Sequence, residues 1–408
     1  MRIGYAITRF WPAVSGPEIH TRHMAQLMSK YHDIKVVAQL NSSADDPYFA
    51  SMRPLQGSPI YTDNGIPVNI VAPRRAEMPL LRVSRTMTGS RRAARQGLSL
   101  YRFLLERRLM RVLADRDVIH CVNATMEHLA VSAARCAARL QRPFVLTPLF
   151  RLEDHGAADA LTGPLGVAHA VIAQTRFEAE QLKQLGVPDN KVHVLSAGPI
   201  VSEEADPEWF KRRYSIRGNV VLFLARKERS KGYELVLRAA EFVWKEHPDT
   251  YFVFAGPTTA ESSRVFSASR DPRIIEIGEL DPWSKEKSSA LAACDVFCMP
   301  SVPECSGVVF LEAWSFGKPV IAADIPSERD FVSHGRDGLL VRTDPHDIAR
   351  AVLLLLGDHR LRQRMGAAGK AKISEHYSWP RVVDRMNSIY EEVAKGTGQH
   401  VSQGRSRS

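Results

Sequence analysis

The chain has 408 residues, of which 44% are hydrophobic and 25% are charged, and its formal net charge is +10. One hydrophobic core stops growing near roughly 250–300 residues, so two domains are expected. The average composition excludes a disordered or collagen-like chain, and even the longest apolar runs, such as residues 351–356, are too short to cross a bilayer. The N-terminus lacks the features of a secretory signal, so a cytoplasmic protein is predicted.

Buried-strand patterns alternate with helical spacing of apolar residues along the whole chain. In the first half, strands are predicted at residues 2–8, 34–40, 118–120, 143–149, 168–174 and 191–195. A proline-rich, acidic linker follows at residues 199–207. The pattern then restarts, with strands predicted at residues 220–226, 250–255, 273–277, 296–300, 319–323 and 338–341.

This alternation predicts an α/β protein with two Rossmann-like, doubly wound parallel-sheet domains that face a cleft. The predicted boundaries are 1–198 for the first domain and 199–378 for the second. A C-terminal helix at 379–395 is expected to pack back on the first domain, and 396–408 to form a disordered tail.

A short stretch after the predicted strand at 296–300 opens a helix and carries two carboxylates. Ser306, Gly307 and Val308 would present free backbone N–H groups at the positive helix end, which suits a phosphate. Glu304 and Glu312 could accept hydrogen bonds from sugar hydroxyls. The alternative is an ordinary helix cap with a surface glutamate.

In each predicted domain, one further candidate loop follows the first strand. Arg226 and Lys231 could neutralise a diphosphate without a metal, unless they belong to a merely solvated basic loop. Gly16 precedes the first helix and would let the backbone approach an anion, unless it forms a plain turn. Cys294 and Cys298 have no second pair at zinc-ligand spacing, so they are predicted to be buried thiols rather than metal ligands.

Together these stretches resemble the retaining glycosyltransferases of family 4, which have the GT-B fold, and the resemblance covers nearly the whole chain. Glu304 and Glu312 match the paired-glutamate motif of that family. Arg226 and Lys231 with Gly232 match its diphosphate-binding motif.

The resemblance implies a role for each matched residue. Arg226 and Lys231 would hold the donor diphosphate and stabilise the leaving nucleotide, Glu304 would contact the donor sugar, and Glu312 would bind the ribose. The remaining implied donor-binding residues are Gly16, Ile277, Ser306, Gly307, Val308 and Val309. The family requires no protein nucleophile, and neither a metal nor another cofactor is expected, because the nucleotide-sugar is a co-substrate.

The first domain departs from the family pattern. Family members often have two glycines where this chain has Ser15 and Gly16, and they carry a histidine after the strand predicted at 143–149. Here His155 comes later and is a candidate replacement. The acceptor-side candidates are Glu18, His20, His155, Arg91, Arg92 and Arg95.

Positive charge is concentrated in the first half of the chain. Residues 51–150 hold 16 basic and 6 acidic residues, and residues 82–111 hold nine arginines and one glutamate. Within that segment one helical face is shared by Ala94, Leu98, Tyr101, Leu105, Leu109 and Val112. The segment is either a basic amphipathic helix for an anionic acceptor or membrane, or a core-facing helix with a solvated arginine face.

The sequence therefore predicts a metal-independent retaining glycosyltransferase with a nucleotide-sugar donor, for which UDP is expected. The acceptor would be lipid-linked, a surface polysaccharide precursor or a small molecule, and the enzyme could act at the inner face of the membrane. No nucleic-acid partner is expected. The alternatives are a GT-B-fold epimerase or phosphorylase, and a non-catalytic basic protein on a transferase scaffold that binds membranes or RNA.

Overall fold

The structure is a computed structural model that describes residues 1–13, 15–42, 47–55, 58–90, 92–122, 128–149, 157–269, 271–302 and 307–404. The chain divides into two compact units. The first comprises Met1–Gln174, Glu178–Leu195 and the residues from Val383 onward. The second comprises Thr175–Phe177 and Ser196–Val382.

The first unit contains an eight-stranded sheet in the order β3-β4-β2-β1-β5-β6-β7-β8. Its strands are β1 Arg2–Arg9, β2 Asp33–Leu40, β3 Ile60–Asp63, β4 Ile66–Ile70, β5 Val118–Val122, β6 Phe144–Thr147, β7 Ala170–Ala173 and β8 Val192–Val194. All neighbours are parallel except β3 and β4. The accompanying helices are α1 Gly16–Met28, α2 Pro47–Ala50, α3 Met78–Thr88, α4 Ala94–Leu113, α5 Leu129–Leu140, α6 Ala157–Val167 and α7 Arg176–Gln184.

The β3–β4 hairpin is absent from the sequence prediction. Its two-residue turn consists of Asn64 and Gly65, which have φ angles of 48° and 82°. An Asn-Gly pair favours this left-handed turn because both residues tolerate positive φ. The signal was therefore present in the sequence.

The second unit contains six strands, all parallel, in the order β11-β10-β9-β12-β13-β14. They are β9 Val220–Leu224, β10 Tyr251–Ala255, β11 Ile274–Ile277, β12 Val296–Met299, β13 Val320–Ala323 and β14 Gly338–Val341. The helices are α8 Pro207–Arg213, α9 Tyr233–Val243, α10 Ala260–Ala268, α11 Lys285–Ala293, α12 Val308–Ser315, α13 Pro326–Arg329, α14 Pro345–Gly357 and α15 His359–Lys372. This is the doubly wound arrangement predicted from the sequence, and its strand order reverses between β9 and β12.

The local sequence explains several of these elements. The central strands are almost wholly apolar, as expected for strands covered on both faces, and Val220, Val221, Leu222 and Phe223 are each at most 1% exposed. Asp344 caps α14 by accepting hydrogen bonds from two backbone amides, and Pro345 follows at the first helical position. Cys294 and Cys298 lie in the core of this unit, where burial raises the pKa of the Cys294 thiol to about 12.

The last helix, α16, spans Trp379–Gly404, and its residues from Val383 onward belong to the first unit. It thus continues into the segment predicted from sequence to be a disordered tail. Its buried Tyr390 hydroxyl lies 2.7 Å from Nδ1 of His120 and donates to the Tyr5 hydroxyl at 2.8 Å. The other His120 ring nitrogen lies 2.8 Å from the Thr147 hydroxyl, so a chain of buried hydrogen bonds joins α16 to β1, β5 and β6.

Across the described part of the chain, none of the helices combines the length and the apolar character needed to span a bilayer.

Candidate active site

The carboxyl edge of the second sheet carries the loop with the predicted diphosphate-binding cations. Because β9 lies beside the point where strand order reverses, the loop that follows it lines the position where such sheets bind ligands. Arg226 is exposed, and its Nε lies 3.3 Å from Oε1 of Glu228 in an ion pair whose side chains are each about half exposed. Its guanidinium is therefore accessible to an anion.

Lys231 ends a short 3-10 helix in the same loop, and Gly232 follows with φ of +81°. A side chain at Gly232 would place its Cβ 2.6 Å from the carbonyl oxygen of Pro300, so only glycine fits. The carbonyl of Ser230 accepts a 2.7 Å hydrogen bond from the backbone amide of Val302. The loop is thus fixed against the residues that follow β12.

Lys227, next to Arg226, was not singled out from the sequence. Its side chain is fully buried, and its Nζ donates to the Ile277 carbonyl at 2.8 Å and lies 3.0 Å from Oε1 of Glu276. Its backbone amide donates to the carbonyl of Pro257. One lysine therefore joins the carboxyl ends of β9, β10 and β11. Burial lowers the pKa of Lys227 against the opposing effect of Glu276.

Lys227→Met is expected to lower the free energy of unfolding by about 1–3 kcal/mol, because a buried carbonyl loses a donor and a carboxylate loses its cation. Nucleotide binding should weaken too, since Ile277 is one of the donor-binding residues that the family resemblance implies. Urea unfolding and calorimetry with UDP would measure both effects. The matched control is Lys245→Met, which changes an exposed lysine of the same unit. Equal behaviour of the two variants would contradict this prediction.

Gly307 and the start of α12 follow β12 on the carboxyl side of the sheet. Gly307 precedes the helix, and a Cβ there would lie 2.6 Å from the Phe310 ring and 3.1 Å from Oε2 of Glu328. The absence of a side chain at Gly307 therefore allows the close packing at the start of α12. Val308 and Val309 form its first turn, where backbone N–H groups lack helical acceptors. Glu304 and Ser306 lie outside the described residues.

Glu312 is buried in α12 and forms an ion pair that sequence reasoning did not predict. Its Oε1 accepts a 2.6 Å hydrogen bond from Nζ of Lys287, a buried residue of α11. The same Nζ also donates to the carbonyls of Ile200 at 3.0 Å and Pro282 at 3.2 Å. Burial raises the pKa of Glu312, while Lys287 and the Ile200 amide oppose that rise. Lys287 thus holds the carboxylate of Glu312 in one orientation.

The second unit therefore brings Arg226, Lys231, Ile277 and the first turn of α12 to neighbouring strand ends of one sheet edge. Parallel strands have their carboxyl ends on the same side, and β11, β10, β9 and β12 are successive neighbours. Glu312 lies one turn further into α12 and is held from α11. The pairings made by Lys227 and Lys287 join residues distant in sequence, which no local pattern reveals.

In the first unit, Gly16 begins α1, and Glu18 and His20 lie in the same helix. Glu18 is buried, accepts a hydrogen bond from the Ser15 hydroxyl and lies 3.5 Å from Nε of Arg9. The Glu18 carboxylate thus contacts Ser15 and Arg9, and these contacts stabilise the start of the helix. His20 is partly buried.

Arg92 lies just before α4 and Arg95 lies in its first turn, and both are exposed. Arg91 and His155 lie outside the described residues. The apolar face predicted for this segment packs into the core through Tyr101, Leu105 and Leu109, each at most 1% exposed. Of the two interpretations, the structure thus has the core-facing helix, and the apolar face of α4 is not available to a membrane.

Comparison of the fold places it among known architectures. HepE from Anabaena, solved in complex with UDP, matches with a TM-score of 0.73 over 96% of this chain and 100% of HepE, at 17% identity. Its complex with UDP-glucose matches with a TM-score of 0.70 over 98% of this chain and 100% of HepE, at 18% identity. The fold is that of the GT-B glycosyltransferases, as predicted from the sequence.

Sequence comparison gives the family. The model for Glycosyltransferase Family 4 matches residues 14–198, and the model for Glycosyl transferases group 1 matches residues 208–372. The chain belongs to glycosyltransferase family 4.

Among curated relatives, phosphatidyl-myo-inositol mannosyltransferase of Mycobacterium tuberculosis is 33% identical over 195 residues, which are 46% of this chain and 50% of the relative. D-inositol 3-phosphate glycosyltransferase of Jonesia denitrificans is 28% identical over 244 residues, or 55% of this chain and 57% of the relative. The matched part of the chain thus spans about half the length of these curated relatives.

Proposed function

We propose that this protein is a retaining glycosyltransferase that moves a sugar from a UDP-sugar to an acceptor hydroxyl. The observation that carries the proposal is the carboxyl edge of the sheet in the second unit, where the exposed Arg226 and the partly buried Lys231 follow β9 and the first turn of α12 follows β12. This combination of cations and free backbone amides suits a diphosphate. The family membership favours transfer over the epimerase, phosphorylase and non-catalytic alternatives.

In the proposed reaction, the bond between the anomeric carbon and the diphosphate oxygen breaks as the acceptor oxygen bonds to that carbon on the same face. The acceptor proton passes to the departing phosphate. Arg226 and Lys231 stabilise the negative charge on that phosphate, which is greatest as the bond breaks. Glu312, oriented by Lys287, accepts hydrogen bonds from the ribose, and Glu304 contacts the donor sugar.

Incubation of the protein with a panel of UDP-, GDP- and ADP-sugars tests the proposal. UDP release that depends on an acceptor is expected, with a product whose anomeric configuration by NMR equals that of the donor. Conversion of a nucleotide-sugar without transfer would indicate an epimerase. Lack of turnover with every donor and acceptor would contradict the proposed activity.

Activity is expected to survive EDTA, because the two cations and the amides of α12 supply the positive charge that a metal provides in other transferases. Initial rates would be compared before and after dialysis against the chelator. Restoration of a lost rate by magnesium or manganese would show that the site needs a metal.

We further propose an anionic acceptor, bound by the first unit at the inner face of the membrane. Both relatives described above carry a phosphorylated inositol in their names. An exposed face of α3 combines Leu80 and Val83, which are 46% and 50% exposed, with the exposed arginines Arg82 and Arg85. Such a face suits an anionic lipid surface.

Replacement of Arg82 and Arg85 by serine should therefore weaken binding to phosphatidylglycerol vesicles, by roughly fivefold for each charge near the surface. Replacement of Arg91, Arg92 and Arg95 in the same arginine-rich segment should weaken it further. Binding should also weaken as salt rises, while UDP binding stays unchanged. Vesicle sedimentation at two salt concentrations would measure this. The control replaces Arg360 and Arg364, two exposed arginines of α15. Equal binding to phosphatidylcholine and phosphatidylglycerol vesicles would contradict the membrane proposal.

A further inference from the structure

Two helices of the first unit, α4 and α5, pack along each other with an unusual order of charges. Glu106 of α4 is 2% exposed and pairs with Arg139 of α5, with an Oε1–Nε distance of 2.8 Å. One turn earlier on each helix, the corresponding residues are Arg102 and Arg135. Two like charges thus lie one helical turn before a matched ion pair. Burial lowers the pKa of Arg102, and the charge of Arg135 lowers it further.

Arg102 is partly buried, and its guanidinium donates to a neutral acceptor. Its Nη2 and Nε lie 2.8 and 3.2 Å from Nδ1 of His128, the residue that precedes α5. Burial lowers the pKa of His128 to about 4, helped by the charge of Arg102, so the ring is neutral at pH 7. Within the described ranges, neither Arg102 nor Arg135 has a carboxylate at ion-pair distance.

The surroundings hold this cluster in place. The His128 ring lies edge-on to the rings of Tyr48 and Tyr101, with centroid distances of 5.5 and 6.3 Å. Tyr101 is fully buried, and its hydroxyl accepts a 2.8 Å hydrogen bond from the Gln39 amide. The Ser132 hydroxyl lies 3.4 Å from the Arg102 carbonyl. A preorganised guanidinium loses little entropy when it binds a ligand.

Arg102, which is partly buried, and Arg135, which is exposed, carry like charges on neighbouring turns of the two helices, and no acid among the described residues pairs with either. Like charges repel each other, more strongly where one of them is partly buried than in water. An anion bound between the two guanidinium groups would offset their repulsion. Arginine forks match the oxygens of phosphate, which can bond two forks at once. A carboxylate has only two oxygens and satisfies one fork.

We propose that Arg102 and Arg135 form a phosphate-binding site on the groove between α4 and α5, with Arg102 oriented by His128. The site takes a phosphate group, carried by a soluble sugar phosphate or by a lipid headgroup. The site itself stands independently of the transferase activity. Its assignment to the phosphate of the acceptor rests on the proposed function.

Titration of the 408-residue protein with inorganic phosphate at low ionic strength tests the site. Arg102→Gln should weaken phosphate binding about tenfold or more, and Arg135→Gln should weaken it several-fold. Arg107→Gln should have no effect, because Arg107 is an exposed arginine of the same helix whose guanidinium lies over the Phe103 ring. Calorimetry would give the dissociation constants. Unchanged binding in the first two variants, or equal weakening in all three, would overturn the proposal.

Thermal unfolding separates a binding site from a structural role. Without phosphate, Arg135→Gln should unfold at the same temperature as the wild type or higher, because a repulsion is removed. Phosphate should raise the unfolding temperature of the wild type and of Arg107→Gln, and not that of Arg102→Gln. A large destabilisation of both Arg102→Gln and Arg135→Gln, without loss of phosphate binding, would show that the pair only supports packing.

Two further probes distinguish the sources of the phosphate. Weakened binding of Arg102→Gln to glucose 6-phosphate alone would indicate a soluble acceptor. Weakened binding to phosphatidylglycerol vesicles would indicate a lipid headgroup. UDP binding should stay unchanged in both arginine variants. If phosphate does not bind at this site, the proposed donor chemistry is unaffected. If the wild type has no transferase activity, the phosphate titration still tests the site.

Discussion

Replacement of Arg226 by alanine is expected to lower turnover by about ten- to hundredfold while the protein stays folded. The loss follows from the proposed contact between this guanidinium and the donor diphosphate, because a charge-assisted hydrogen bond contributes roughly 1.5–3 kcal/mol. Arg226 is exposed and contacts Glu228 in an exposed ion pair, so its removal should cost little stability. Lys231→Ala should lower turnover by a similar factor.

The rates are measured with a UDP-sugar and an acceptor, and circular dichroism checks the fold. Arg229→Ala is the matched control, because this cation lies in the same loop, is 71% exposed and pairs with Glu234 and Glu261. Its rate should equal that of the wild type. Wild-type rates in the Arg226 and Lys231 variants would remove both residues from the donor site.

The second large effect is expected at Glu312, where binding and stability are coupled. Glu312→Ala would leave Lys287 buried without its carboxylate, and breaking such a pair costs about 3–5 kcal/mol. Glu312→Gln keeps an acceptor for Lys287 and should preserve the fold. It should weaken UDP binding by roughly tenfold or more, since a neutral amide is a poorer acceptor for ribose hydroxyls than a carboxylate.

Calorimetry with UDP and urea unfolding separate the two effects. The double variant Lys287→Met/Glu312→Leu replaces the pair with apolar residues of similar size, so it should fold and yet bind UDP poorly. Glu304→Ala should instead reduce turnover with a smaller effect on UDP binding, because its proposed contact is with the sugar. Tight UDP binding by the double variant would refute the ribose role of Glu312.

The sequence predicted the fold class because the strands of the second unit are apolar runs separated by helical spacing, and local pattern is sufficient there. Boundaries were less accurate. The first strand of this unit was predicted to reach residue 226, whereas β9 ends at Leu224 and the cation loop begins directly after it. Arg226 therefore lies in the loop, two residues beyond the end of the strand.

Side-chain pairings were not predictable in the same way. Lys227 bonds to a carbonyl 50 residues away, and Lys287 to a carboxylate 25 residues away. From sequence alone, each lysine is most simply a solvated surface cation. Their burial follows from the docking of separate strands and helices, which a local pattern does not encode.

The environment of the arginine-rich segment was also not predictable from its local pattern. Its periodicity correctly identified one apolar face on α4, but two environments can cover such a face, the protein core or a bilayer. The pattern is the same for both. Only the packing of Tyr101, Leu105 and Leu109 into the core distinguishes them.

The hydrogen bonds of Tyr390 have a consequence for the order of assembly during synthesis. His120 and Tyr5 belong to strands that leave the ribosome early, yet their buried partner on α16 is made after the whole second unit. The second unit is almost continuous in sequence and can fold as soon as it emerges. The unit that is translated first is therefore completed last. Until α16 packs against its sheet, His120 and Tyr5 lack their hydrogen-bonding partner Tyr390.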